Sequence, residues 1–193
     1  TIDVAEYACR RAIELAELAG DDVGAGWAHA WLMLLLLGGG READAPEHGE
    51  RALALLEPLG ETRELAEALR LIGQFQWRVG EGVEAEASSR RAAAIADRVG
   101  AADIQAAAVQ DLAVELTQTG RTREALETVE EAFRLADQAG DRMNLQRAYN
   151  NMASTLAQFG QDLPRAKRIA EEGLELARRA GGLGWQAWVE GTL

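Results

Sequence analysis

A single cysteine, Cys9, excludes an internal disulfide framework and any cysteine-based zinc cluster. Prolines number only three, so long stretches of the chain carry few helix breakers. Basic residues are also short, 20 against 32 acidic ones, a formal net charge of −12. Such a surface repels nucleic-acid phosphates and anionic lipid, so neither is expected as a partner. Long apolar runs are missing too: the longest, Trp31 to Leu37, is too short to span a bilayer. No signal-peptide pattern opens the chain, since residues 1–20 already repeat with helical spacing, and a cytoplasmic location is expected. What is present is an ordinary globular composition, 48% hydrophobic and 27% charged over 193 residues, enough to build a core.

Glycine is the organising residue. It occupies position 20 and every twentieth position after it: Gly40, Gly60, Gly80, Gly100, Gly120, Gly140 and Gly160. Glycine is about one residue in ten here, so eight in one register is not chance. Each stands where an apolar helical pattern stops, which predicts a helix C-terminus entering the left-handed region. The roughly 16 to 18 residues between glycines predict helices of about 25 Å. The short connections then force neighbouring helices to run antiparallel.

Alternate helices differ, so the repeat is forty residues long. After Gly40, Gly80 and Gly120 the second-type helix pairs its alanines: Ala45 with Ala52, Ala85 with Ala92, Ala125 with Ala132. On the first-type helix Ala28, Ala68, Ala108 and Ala148 align, then Met33, Gly73, Ala113 and Ala153. Small side chains on one stripe let helices approach closely. The fourth pair carries one extra residue near Asp162–Leu163, which moves its alanine to Ala166 and its glycine to Gly181; Pro164 falls in the first turn, where proline is tolerated. The chain starts with a second-type helix, Ala5 and Ala12 matching the paired alanines, and residues 184–193 read as the opening of a first-type helix. The expected organisation is one repeat domain over 1–193: a half repeat 1–20, pairs 21–60, 61–100, 101–140 and 141–181, and a partial repeat 182–193. Ends cut mid-repeat, with Thr1 in place of methionine, suggest a fragment of a longer array.

The spacing of Leu112, Ala113, Gly120, Ala125, Ala132 and Leu135 resembles the tetratricopeptide (TPR) repeat, as does Tyr149-Asn-Asn-Met-Ala153 followed by Gly160, Ala166 and Leu174. The resemblance covers essentially the whole chain. The repeat is forty residues rather than the family's thirty-four, and Glu57, Asp97 and Asp137 replace its proline after the second helix. The family's second-helix aromatic is replaced by Gly49, Ser89, Val129 and Ala170. These long, alanine-rich repeats look like those of bacterial multidomain signalling and transcriptional regulators. The resemblance implies an all-α, right-handed superhelical array of antiparallel helix pairs, about ten helices, whose first helices line a concave groove that binds peptides or protein segments.

Polar residues are unevenly spread. Of thirteen asparagines and glutamines, eleven lie on first-type helices or their opening residues, whereas second-type helices carry runs of full charge. Amides both donate and accept, which suits them to an extended peptide backbone. Asn151 matches by motif a first-helix asparagine that contacts ligand backbone in the family. Asn150, Ser154 and Gln158 follow at about one-turn spacings and continue that face. Gln110 and Arg147, with Arg70, Gln74, Trp77 and Arg78 of the second pair, complete the candidate groove. The arginines either take a partner's carboxylate or pair with neighbours such as Glu67, and the amides either meet a ligand or pair between helices. The family's lysine/asparagine/arginine carboxylate clamp is incomplete, because Gln110 and Asp111 stand at its positions in the third pair.

Trp27, Trp31, Trp185 and Trp188 gather toward the two ends of the chain, either as core or as a self-association surface for a homodimer. No enzyme constellation is found, and no cofactor or metal is expected. His29 and His48 lie on different helices without H-E-x-x-H spacing; His29 is expected to pack between helices and His48 to be exposed. Cys9 occupies a small-residue slot and reads as a packed thiol. The glycines end helices rather than open them, so they form no phosphate loop. The sequence therefore predicts a non-enzymatic interaction scaffold. The alternative is a structural or dimerisation module of a larger bacterial regulator, joined through aromatic-rich ends.

Overall fold

The computed structural model describes residues 2–160 and 162–179. Nine α-helices and two short 3-10 turns are found among the described residues, and no strand. The helices are α1 (Ile2–Ala19), α2 (Asp22–Gly38), α3 (Ala45–Leu56), α4 (Arg63–Val79), α5 (Gly82–Arg98), α6 (Ala102–Gln118), α7 (Thr122–Ala139), α8 (Arg142–Gln158) and α9 (Leu163–Arg179). Helices α2, α4, α6 and α8 are of the first type, and α1, α3, α5, α7 and α9 of the second. Trp185, Trp188 and the partial repeat 182–193 lie outside the described residues.

All eight terminator glycines have positive φ, from +63° at Gly160 to +92° at Gly80. At Gly80 the backbone N–H reaches the carbonyls of Gln76 and Trp77, closing α4 with a left-handed cap. Helix starts are sealed by side chains: Thr62 accepts from the Leu65 N–H at 3.1 Å, and Asp141 from those of Met143 and Asn144. One helix departs from the even length expected. Helix α3 has 12 residues rather than 16 to 18, with a 3-10 turn on each side (Glu42–Asp44 and Glu57–Leu59). Pro46 and Pro58 stand at those boundaries, where proline fits a first turn but cannot donate within a helix.

The chain divides after Ala108, inside α6, into two compact units. In the first unit α1 packs on α2, α2 on α3 and α4, and α4 on α5. Its core is almost wholly apolar, with Leu32, Leu36, Leu56, Leu71 and the alanines Ala52, Ala66 and Ala92 all fully buried. Gly26 shows why a small residue is needed there: a Cβ would stand 2.7 Å from Leu56 Cγ. In the second unit α7 and α9 pack on α8. A smaller apolar cluster joins Ala113, Val129, Met152, Leu156 and Ile169, with Phe133 and Tyr149 edge to face at 4.9 Å. No helix among the described residues is long and apolar enough to cross a membrane.

Candidate binding face

The first-type helices carry the candidate residues, and in the second unit many of these meet one another. Gln110 on α6 is fully buried and donates from Nε2 to the Asn144 carbonyl of α8 at 3.0 Å. The Arg147 guanidinium lies 2.6 Å from the buried Asp111 carboxylate. Thr117 and Thr155 share a hydroxyl hydrogen bond of 3.0 Å, and Gln158 Nε2 donates to the Thr117 carbonyl at 3.2 Å. Four polar contacts thus tie α6 to α8. Gln110, Arg147 and Gln158, expected to line an open groove, spend these groups holding neighbouring first-type helices together. The physical reason is cost: a polar group placed between packed helices must find a partner or lose about 1–3 kcal/mol.

Asn150, Asn151 and Ser154 are half-buried on α8. Asn151 differs from its neighbours, because its Nδ2 is buried with no hydrogen-bond partner among the described residues. The Gln146 Nε2 on the same helix is in the same condition. A buried donor left in this state costs about 1–3 kcal/mol.

In the first unit Arg70 is buried and makes two bonds to Glu67, at 2.8 and 2.7 Å, so its charge is answered within α4. Gln74 is half-buried and Arg78 exposed. Trp77 is half-buried and lies over Gly82, where a Cβ would come within 3.6 Å of its ring. On α2 Trp27 is 46% exposed and meets the half-buried Trp31 edge to face, ring centroids 6.1 Å apart. The Trp31 indole Nε1 is buried without a partner among the described residues.

One pairing went unseen in the sequence. His48 on α3, expected to be exposed, is half-buried, with its Nδ1 2.8 Å from Nδ1 of the buried His29 on α2. Burial, then the charges of His48 and Arg51, depress the His29 pKa to about 4. Burial and Arg10 also lower His48, against the opposing pull of Glu47 and Asp44. The repeat alignment held the signal: the equivalent Ser88 also faces its own first-type helix, donating to Gln76 Oε1 at 2.7 Å. No group of three or more histidine, cysteine, aspartate or glutamate side chains suited to a metal ion is found among the described residues. Burial raises the Cys9 thiol above its ordinary pKa, so it stays protonated at neutral pH.

No protein-family model and no curated protein matches this chain in sequence. Solved structures do match in three dimensions. BtubC (BKLC) from P. vanneervenii superposes with a TM-score of 0.76 at 16% identity, over 98% of this chain and 88% of that one. The TPR-like repeats of a Podosopora anserina putative kinesin light chain give 0.67 at 13% identity, over 93% of this chain and 96% of that one. The fold is a TPR-like helical repeat. Aspartyl phosphate phosphatase F from Bacillus subtilis gives 0.81 at 11% identity, over 98% of this chain. A Rap protein in complex with Competence and Sporulation Factor gives 0.69 at 18% identity, over all of this chain. This chain spans only 51% and 58% of those two proteins. One of the similar proteins carries a phosphatase name, so the TPR-like fold fixes architecture and leaves activity to the residues.

Proposed function

We propose that the chain is a non-enzymatic interaction scaffold that takes a peptide or protein segment on the exposed parts of its first-type helices. The observation that carries the reading is Asn151. Its amide donor is buried on α8 without a partner among the described residues, while Arg147 and Gln158 on the same helix are bonded. Rotation of the half-buried Asn151 side chain brings that amide to a backbone carbonyl of an extended segment, with Asn150 and Ser154 on the same helix. The fold shared with a Rap protein crystallised with Competence and Sporulation Factor supports a binding role. A second reading, a structural module that associates with its own kind, is favoured by the exposure of Trp27.

A random-peptide display library selected on the purified chain tests the first reading. Selected peptides should lose about fivefold to 150-fold in affinity with Asn151→Ala, one hydrogen bond to a buried donor being worth about 1–3 kcal/mol. Circular dichroism should be unchanged in that variant. Peptides that bind Asn151→Ala as tightly as the parent would remove this residue from the site.

A further inference from the structure

The chain has only two histidines, and the fold brings them head to head. Their Nδ1 atoms are 2.8 Å apart and their ring centroids 5.0 Å, so the two nitrogens point at each other along nearly one line. As packing the pair is a poor choice. Leu69 holds the place of His29 in the next repeat and is buried with no polar atom to satisfy. His29 is equally buried and leaves its Nε2 without a partner among the described residues, which costs stability. A local break in the packing rule of this kind marks a functional position.

The surroundings favour a cation. The pair lies in a cleft of about 440 Å³ lined from α1, α2 and α3, all within the first unit. Glu17, Glu47 and Glu50 face this cleft against one cation, Arg51. A second cation near His48, Arg10, is bonded to Glu6 at 2.8 Å. Three carboxylates against one unbonded guanidinium draw positive charge into the cleft. Burial keeps both imidazoles neutral at pH 7, so no added proton competes for their lone pairs. Because Nε2 of His29 is buried, Nδ1 is the nitrogen through which that ring acts.

The donor set selects the ion. Two neutral imidazoles opposed in line match the linear, two-coordinate geometry of a soft univalent d10 cation, copper(I) or silver(I). Zinc(II), nickel(II) and copper(II) take four or more ligands, and no suitable group of even three is found among the described residues. We propose that His29 and His48 bind one copper(I) ion between their Nδ1 atoms, tying α2 to α3. Two metal–nitrogen bonds of about 2 Å each require the 2.8 Å gap to open by roughly 1 Å. The half-buried His48 ring yields toward the cleft, and the buried His29 stays in place. In the ion-free pair a single hydrogen lies between the nitrogens. On binding it moves to Nε2 of the ring that carries it, and the charge of the ion is the only one added. This site is separate from the binding face of α8 and stands or falls without it.

Silver(I) is the probe, because it shares the geometry and does not oxidise in air. The whole chain is used with Cys9→Ser, since a thiol competes for the ion; the fully buried Ser89 at the equivalent position shows that the fold accepts serine there. Calorimetric titration should give one silver ion per chain. In the imidazole nitrogen spectrum of the isotope-labelled chain, both Nδ1 resonances should move together at that ratio. His48→Ser and His29→Leu, which copy Ser88 and Leu69 of the next repeat, should each weaken binding by more than about 100-fold, the loss of a ligand exceeding that of a group behind one. Silver should also raise the unfolding midpoint of the parent and of neither variant. The nitrogen spectrum needs no variant, so it decides the matter even where one fails to fold. The proposal is overturned by an absence of binding, by a shift confined to Nε2, or by one-to-one binding that persists in a folded variant. Zinc(II) bound as tightly as silver through the same two residues overturns it as well.

Discussion

The two units use one repeat spacing and two different adhesives. In the first, α2 and α4 meet across a core of leucine, isoleucine and alanine, and α2 is apolar nearly all round. In the second, α6 and α8 are joined by Gln110 to the Asn144 carbonyl, Asp111 to Arg147, Thr117 to Thr155 and Gln158 to the Thr117 carbonyl. The lesson is that the alanine and glycine positions set how the helices stack, while the residues between them set what each stack tolerates. Apolar contact is non-directional and forgiving of register. Hydrogen bonds between helices are directional and hold one register, at the risk of a large penalty if a partner is lost. A polar interface of that kind also risks leaving a buried donor unpaired, as at Asn151 Nδ2 among the described residues.

Leu56→Ala is the sharpest way to break the apolar side of this comparison. Leu56 is fully buried and fills the space left by the missing side chain of Gly26. Its truncation opens a cavity where the backbone of α2 cannot easily follow, and about 2–5 kcal/mol of stability should be lost in urea unfolding. Amide exchange should speed first in α2 and α3. Equal acceleration in α8 and α9 would mean that the two units do not differ in the way their cores suggest.

The next effect is one of pH and belongs to the first unit. His29 has its pKa lowered from 6.5 to about 4 in the fold, so the unfolded chain binds the proton more readily. Stability from this residue is complete above pH 6.5, falls as pH drops from there toward 4, and levels off below. The loss amounts to about 3 kcal/mol at most. Burial is the main reason, and the geometry adds to it: a head-on Nδ1···Nδ1 contact has room for one proton, and a proton on the buried His29 Nε2 meets no acceptor among the described residues. His29→Leu should flatten the unfolding free energy between pH 4 and 6.5 relative to the parent. A slope unchanged by that substitution would assign the acid sensitivity to carboxylates instead.

Much of this fold is legible in the sequence because the terminators are unambiguous. Eight glycines at twenty-residue intervals mark eight helix ends, and every one has positive φ. The paired alanines likewise land at full burial, as at Ala45, Ala52, Ala85 and Ala92. The site was harder to read, for a reason that lies in helix geometry. Gln110, Asp111 and Arg147 lie on the faces by which two first-type helices, α6 and α8, meet. Whether such a face meets solvent or the next first-type helix depends on how closely the repeats stack, and no local pattern encodes that distance. His48 was misjudged for a related reason: it sits on a charged helix, but at its inner edge, against the His29 that packs between helices as expected.

Gly120→Ala should have the smallest effect and tests the feature common to both units. Its φ is +74°, and nothing lies within 4 Å of where a Cβ would stand, so the cost is confined to the backbone. An alanine held in the left-handed region should lose about 1 kcal/mol relative to glycine, partly offset because the unfolded chain becomes less flexible. Gly80 in the first unit has φ +92° and the same open surroundings, so Gly80→Ala should cost a similar amount despite the different core beneath it. Matching losses in urea unfolding would show that the helix terminators act independently of the adhesive between helices. A Gly120→Ala loss several times larger would mean that the polar contacts of α6 and α8 depend on how α6 ends, since Thr117, three residues before Gly120, holds both Thr155 and Gln158.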